Sequence, residues 1–109
     1  MRHGVVVALG SDILPIGPMV GLYAAVTRKG MTGQVYGAGE ALTMPEAIVA
    51  YTRLAAYLTF EEDMKGSLEV GKYADMVVLS QDLVTLDPER TMDTKVEMTI
   101  LGGKIVYEQ

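Results

Sequence analysis

The 109-residue sequence predicts an α/β protein: a strand and two helices in the first half, a small β unit in the second. Three observations lead there. Two short runs, residues 5–9 (Val-Val-Val-Ala-Leu) and 76–79 (Met-Val-Val-Leu), are apolar throughout, as in strands covered on both faces. Between them lies a stripe of apolar residues at helical spacing, opened by Thr43 and Glu46 as a capping-box pair. Near the end, two strand-like segments flank Gly102-Gly103, a two-residue hairpin turn.

Composition narrows the class. With 50% hydrophobic and 21% charged residues the chain is globular, not disordered. At this length it is one domain's worth, able to bury roughly two thirds of its unfolded surface. A net charge of -5, with no Lys/Arg cluster, argues against a nucleic-acid partner. Absence of cysteine excludes disulfides and thiolate metal sites and fits a reducing, cytoplasmic setting. Arg2 precedes apolar residues, but no signal-peptide cleavage pattern follows. The apolar stretch 13–26 contains Pro15, Gly17, Pro18 and Gly21 and falls short of the ~20 residues of a membrane span. No membrane partner is expected. Twelve Gly and eight Met, with several all-apolar segments, point to surfaces buried on every side, as in a piece of a larger α/β protein.

Taken in order, the run 5–9 is a strand by its β-branched residues, its short length and its stop at Gly10-Ser11-Asp12. Lack of alternation implies cover on both faces, which puts Asp12 at the C-terminal rim where ligands bind in parallel α/β folds. Pro15 and Pro18 mark a loop, and a helix follows over about 19–29, with Arg28 and Lys29 in its last turn and Gly30 to end it. The segment 33–39 is loop. Its Gly37-Ala38-Gly39 is not a dinucleotide fingerprint, since Leu42 takes the third glycine position and no strand precedes it. The second helix spans about 43–59, with Pro45 tolerated in its first turn. Tyr51, Arg53 and Tyr57 on it are read as packing residues in preference to a binding face, and Glu61, Glu62 and Asp63 as a solvated turn. After Met64 the period changes: Gly66 and Gly71 punctuate a loop, 73–79 becomes a buried strand, and Asp87-Pro88 is a turn. Val96, Met98 and Ile100 alternate with polar residues in a half-buried strand, and Ile105, Val106 and Tyr107 return beside it.

The chemical inventory is thin. His3 is the only histidine, so no multi-histidine metal site forms within the chain, and it reads as a solvated residue. Ser11 has neither a histidine base nearby nor a nucleophile-elbow context. Asp12 carries two readings of equal standing: a metal ligand or general base at a strand's C-terminal end, or a cap of a helix or the Pro15 turn. Asp75, in the turn before a buried strand, reads as a structural hydrogen-bonding residue.

The ordered motifs add a family resemblance. They are Val-Ala-Leu-Gly-Ser-Asp (7–12), Ala-Val-Thr-Arg (25–28), Leu-Thr-Met-Pro-Glu-Ala (42–47), Tyr51-Thr52, Lys-Gly-Ser-Leu-Glu-Val-Gly-Lys-Tyr-Ala-Asp (65–75) and Ile-Leu-Gly-Gly-Lys (100–104). In this order they resemble the C-terminal end of a metal-dependent amidohydrolase, of the branch that holds the N-substituted formamide deformylases. The similarity covers nearly the whole chain, and the string from Gly66 to Asp75 is its most specific part.

The resemblance implies the last βα part of a (β/α)8 metallo-hydrolase barrel plus the C-terminal strands of a composite β-sandwich. Residues 1–64 would end the barrel domain, with strand 5–9 and helices at about 19–29 and 43–59; residues 65–109 would belong to the small β-sandwich domain. It further implies hydrolysis of a small-molecule amide or related C–N bond by a metal-activated water, with a divalent metal, zinc by preference, in the complete family member. Asp12 matches the family's aspartate after the last barrel strand, a single metal ligand or the general base that shuttles the proton. Gly66, Gly71, Asp75, Gly102 and Gly103 carry structural roles. The family's histidine ligands come from earlier barrel strands, and a full barrel takes about 250 residues. The expectation is therefore a chain that is inactive and metal-free by itself, and a homo-oligomer because its covered strand lacks neighbours. The alternative is a non-catalytic, self-associating binding or assembly module of the same ancestry.

Overall fold

The computed structural model describes residues 3–12 and 17–109. Within them three helices precede a three-stranded antiparallel sheet: α1 (Pro18–Thr27), α2 (Met44–Tyr51), α3 (Arg53–Leu58), then β1 (Met76–Leu79), β2 (Val96–Leu101) and β3 (Lys104–Glu108) in the order β1-β2-β3. Two 3-10 turns, Ala38–Glu40 and Pro88–Asp93, fill the connections. The chain is therefore mixed α/β, and no described helix is long and apolar enough to cross a membrane.

The first helix ends at Thr27, three residues before Gly30, the glycine expected to stop it. Arg28 takes the left-handed conformation (φ 58°) and its N–H donates to the Ala24 carbonyl, while its Nε donates to the Tyr36 carbonyl at 2.9 Å. An arginine holds a conformation that usually favours glycine because its side chain is gripped by the returning loop. That loop is a small hairpin, closed by a bridge between Lys29 and Val35.

The capping box forms as expected. Thr43 N–H donates to Glu46 Oε2 at 2.8 Å, and Thr43 Oγ1 accepts from Glu46 N–H. The expected single helix over 43–59 is instead two. At Thr52 the backbone turns to φ -117° and ψ -84°, outside the helical range. Thr52 Oγ1 donates back to the Ile48 carbonyl at 2.8 Å, a bond of the kind that bends helices. Gly66 lies against the outside of the bend: a Cβ there would meet Ala56 Cβ at 2.7 Å and the Thr52 carbonyl at 3.0 Å. Apolar periodicity continues through the break, which is why the sequence reads as one helix.

The hydrophobic core is small. Leu22 of α1, Met44 and Ala47 of α2 and Leu83 form its centre, with Met19, Tyr51, Leu79 and Leu86 packed around it. Thus Tyr51 packs as expected, whereas Tyr57 and Arg53 face solvent. Leu79 of the sheet and Leu83 and Leu86 of the turn after it reach this core.

Both runs expected to be covered on two faces are open. Residues 5–9 make no strand pairing among the described residues, and Val5 is 63% exposed. A strand needs a neighbour for its N–H and C=O groups, and here, among the described residues, the segment is tied through Leu9 N–H to the Ala50 carbonyl at 3.0 Å. The second strand is shorter than 73–79, and three of its four residues are exposed. Chain-wide, 7735 Å² is accessible, against about 5,900 Å² for a compact monomer of this mass.

The hairpin is where the sequence placed it. Gly102 (φ 55°) and Gly103 (φ 80°) both have the positive φ that a type I′ turn requires. Register shifts at Val78/Leu79 and at Thr99/Ile100 mark bulges that the alternation does not announce.

Candidate functional site

Asp12 stands at the end of the segment 3–12, exposed, three residues beyond the Leu9–Ala50 bond. The Pro15 turn it was weighed as capping lies outside the described residues. Beside the segment runs an open groove of about 910 Å³ between it, α1 and the start of α2, lined in part by Leu9, Gly10, Gly21, Arg28 and Tyr51. Gly21 is there for a close approach: the Tyr51 hydroxyl occupies the place its side chain would take. His3 also borders this groove and is exposed, as expected of a solvated residue; Asp12 is not among the described lining residues.

A metal needs several convergent donors. Among the described residues no three His, Cys, Asp or Glu side chains come together in such a group. The residues present therefore do not fit the divalent metal that the resemblance implies, and Asp12 is at most one donor of a set.

The best-organised polar structure lies instead in the string from Gly66 to Asp75. Lys72 is its centre: Nζ donates to Ser67 Oγ at 2.8 Å and to the Glu62 carbonyl at 2.5 Å, and pairs with Glu69 Oε2 at 2.8 Å. Its side chain is only 14% exposed. Ser67 Oγ donates in turn to Glu69 Oε2 at 2.7 Å. Hydrogen bonds from Lys72 and Ser67, then the lysine's charge, hold the Glu69 carboxyl down to about 2. The spacing explains the clasp: three residues separate Glu69 from Lys72, and Gly71 at φ 95° turns the chain so that both face Ser67.

The same string grips the hairpin. Asp75 Oδ1 accepts from Gly102 N–H at 2.7 Å, and the Ala74 carbonyl accepts from Gly103 N–H at 3.0 Å. Gly66 touches the helices, Lys72 closes the turn, and residues 74–75 hold the sheet. These positions thus form a strap between the two halves, in which Ser67, Glu69, Lys72 and Asp75 bond to one another and to the chain.

Sequence reasoning missed the Lys72 clasp, although a lysine three residues after a glutamate in a glycine-punctuated turn is a usable signal. It also missed the contact to the 88–93 turn from just past the end of α1, where Lys29 Nζ meets Glu89 Oε1 at 2.6 Å. That hydrogen bond raises the Lys29 pKa. The acidic trio 61–63 is less solvated than expected. Glu61 pairs with Lys65 at 2.7 Å, its carboxyl lowered by that bond, while Glu62 Oε2 is buried without a protein partner.

Comparisons with known proteins agree with one another. The profile of the amidohydrolase family matches residues 1–107. YtcJ of Bacillus subtilis (strain 168), named as an amidohydrolase, is 36% identical over 114 residues, covering 100% of this chain and 22% of its own length. The N-substituted formamide deformylase of Arthrobacter pascens is 34% identical over 109 residues, covering 97% of this chain and 20% of that protein. Among solved structures, an amidohydrolase from Thermotoga maritima MSB8 superposes with a TM-score of 0.66 at 25% identity, over 99% of this chain and 24% of that one. The chain spans about a fifth of the length of the curated relatives it matches.

Proposed function

Because the chain belongs to the amidohydrolase family, we propose that it forms the C-terminal part of an enzyme hydrolysing amide or related C–N bonds, and that it is inactive alone. In this reading residues 1–64 end a (β/α)8 barrel and residues 65–109 are its share of a β-sandwich. The setting is cytoplasmic, and a divalent metal, zinc by preference, takes its donors from outside this chain, with Asp12 as at most a single ligand. The observation that carries the reading is the family match through residues 1–107, at about a fifth of the relatives' length, together with the open run 5–9.

Asp12 is the residue assigned to chemistry. An exposed carboxylate such as that of Asp12 can take a proton from an attacking water and pass it to the leaving nitrogen, the work of a general base and then acid. The substrate class is a small amide, by analogy with the relative named as a formamide deformylase. The test is hydrolysis of N-substituted formamides by the isolated chain with added zinc, followed by amine or formate release. No turnover above the protein-free blank is expected. Turnover that disappears in Asp12→Asn would overturn the claim that the chain is inactive alone.

A second reading, a self-associating module, is favoured by one observation. The accessible surface exceeds that of a compact monomer by roughly 1,800 Å², more than twice one partner's share of a standard interface. A dimer or larger species is therefore expected, and light scattering that gives a clean monomer would count against it.

A further inference from the structure

Two distant parts of the chain, Leu9 and Gly66, meet at the break between α2 and α3. A helix leaves its last four carbonyls without partners of its own. In α2 the Ile48 and Val49 carbonyls both receive Thr52 N–H, and the Ala50 carbonyl receives Leu9 N–H at 3.0 Å. The bond that holds the Asp12-bearing segment is thus made to a carbonyl that the end of α2 leaves free. Across the same break sits Gly66, close enough that a Cβ would come within 2.7 Å of Ala56 Cβ, 3.0 Å of the Thr52 carbonyl and 3.1 Å of Arg53 Cα. Two of those three atoms are backbone, so a side chain at Gly66 would displace the break itself.

We propose that Gly66 is a positioning residue for the segment that carries Asp12, acting through the α2–α3 break and the Ala50 carbonyl. The strap then does more than join helices to sheet. Its first residue abuts the helix end whose Ala50 carbonyl takes the Leu9 N–H. The catalytic meaning rests on the proposed role of Asp12, but the geometry does not. An inert Asp12 would remove that role and leave the coupling intact.

Gly71 supplies a matched control. It shares the positive φ (95° against 90° for Gly66) and the same strap, yet a Cβ on it meets nothing within 4 Å. Gly66→Ala and Gly71→Ala therefore carry the same backbone penalty, and only the first presses on the break. The experiment is native-state amide exchange by NMR on the 109-residue chain, reading Leu9 against Ser80, whose N–H is bonded to the Lys95 carbonyl in the sheet. Relative to Gly71→Ala, Gly66→Ala is expected to speed Leu9 exchange on the order of tenfold and to leave Ser80 unchanged. Equal Leu9 rates in the two variants, or equal acceleration of Leu9 and Ser80, would overturn the proposal. Should Gly66→Ala fail to fold, Thr52→Ala decides. It removes the hydroxyl bond to Ile48 that bends the helix, and is expected to speed Leu9 alone; an unchanged Leu9 would overturn the proposal.

Discussion

Replacing Asp75 by alanine tests whether the strap holds the hairpin. The carboxylate accepts from Gly102 N–H at 2.7 Å, at the short end of the N–H···O range and charge-assisted. Hydrogen bonds to charged groups contribute about 1.5–3 kcal/mol when sheltered, and this one is open to water, so about 1 kcal/mol is the expected loss. The second grip, Gly103 N–H on the Ala74 carbonyl at 3.0 Å, is a backbone bond and survives the substitution. For a chain of 109 residues that loss lowers Tm by about 4 °C, measured by circular dichroism. Asp75→Asn keeps an acceptor oxygen without the charge and should recover part of the difference. Faster amide exchange at Gly102, with exchange at Ser80 unaltered, would localise the effect to the turn. A Tm within about 1 °C of the parent, together with unchanged Gly102 exchange, would refute the reasoning.

Two further outcomes follow from the polar network. Because Glu69 is held down to about 2 in the folded chain, its clasp contributes fully above the ordinary glutamate range and is lost as pH falls from 4.5 toward 2. Acid titration of the fold should therefore show a loss in that window that Glu69→Gln removes; an identical profile in the variant would exclude the clasp as its source. Thr43→Ala, which takes away the capping-box hydroxyl, should destabilise by about 1 kcal/mol in chemical denaturation, and no shift in midpoint would mean that α2 is held by packing alone.

What could be read from the sequence was what local chemistry decides. Thr43 and Glu46 announce the start of α2 because a cap is settled within four residues, and Gly102-Gly103 announces the hairpin because only positive φ fits that turn. The break at Thr52 is hidden, since the apolar stripe runs on undisturbed and Gly66, which packs against the break, comes from fourteen residues away. Arg28 replaces the expected Gly30 stop for a similar reason: the Tyr36 carbonyl holds the arginine, and no local pattern shows that. The apolar runs 5–9 and 76–79 told a true thing about composition, that such residues suit a covered setting, but the cover is not supplied by this chain. As for Asp12, residue type and position left its role divided, and the structure adds an exposed place at the end of a tethered segment.

The modest core has a calorimetric consequence. Unfolding raises heat capacity in proportion to the apolar surface newly wetted, and a chain of 109 residues that packs in the ordinary way gives about 1.3–1.6 kcal/mol/K. Here roughly 1,800 Å² more than in a compact monomer is already wet before unfolding begins, which removes about 0.3 kcal/mol/K from that increment. The stability curve of the free chain is accordingly flatter than its length implies, with cold weakening it less. Whatever surface comes to cover residues 5–9 and the sheet would restore the missing increment, so the heat capacity of unfolding, measured with and without that cover, reports how much of the chain is waiting to be buried.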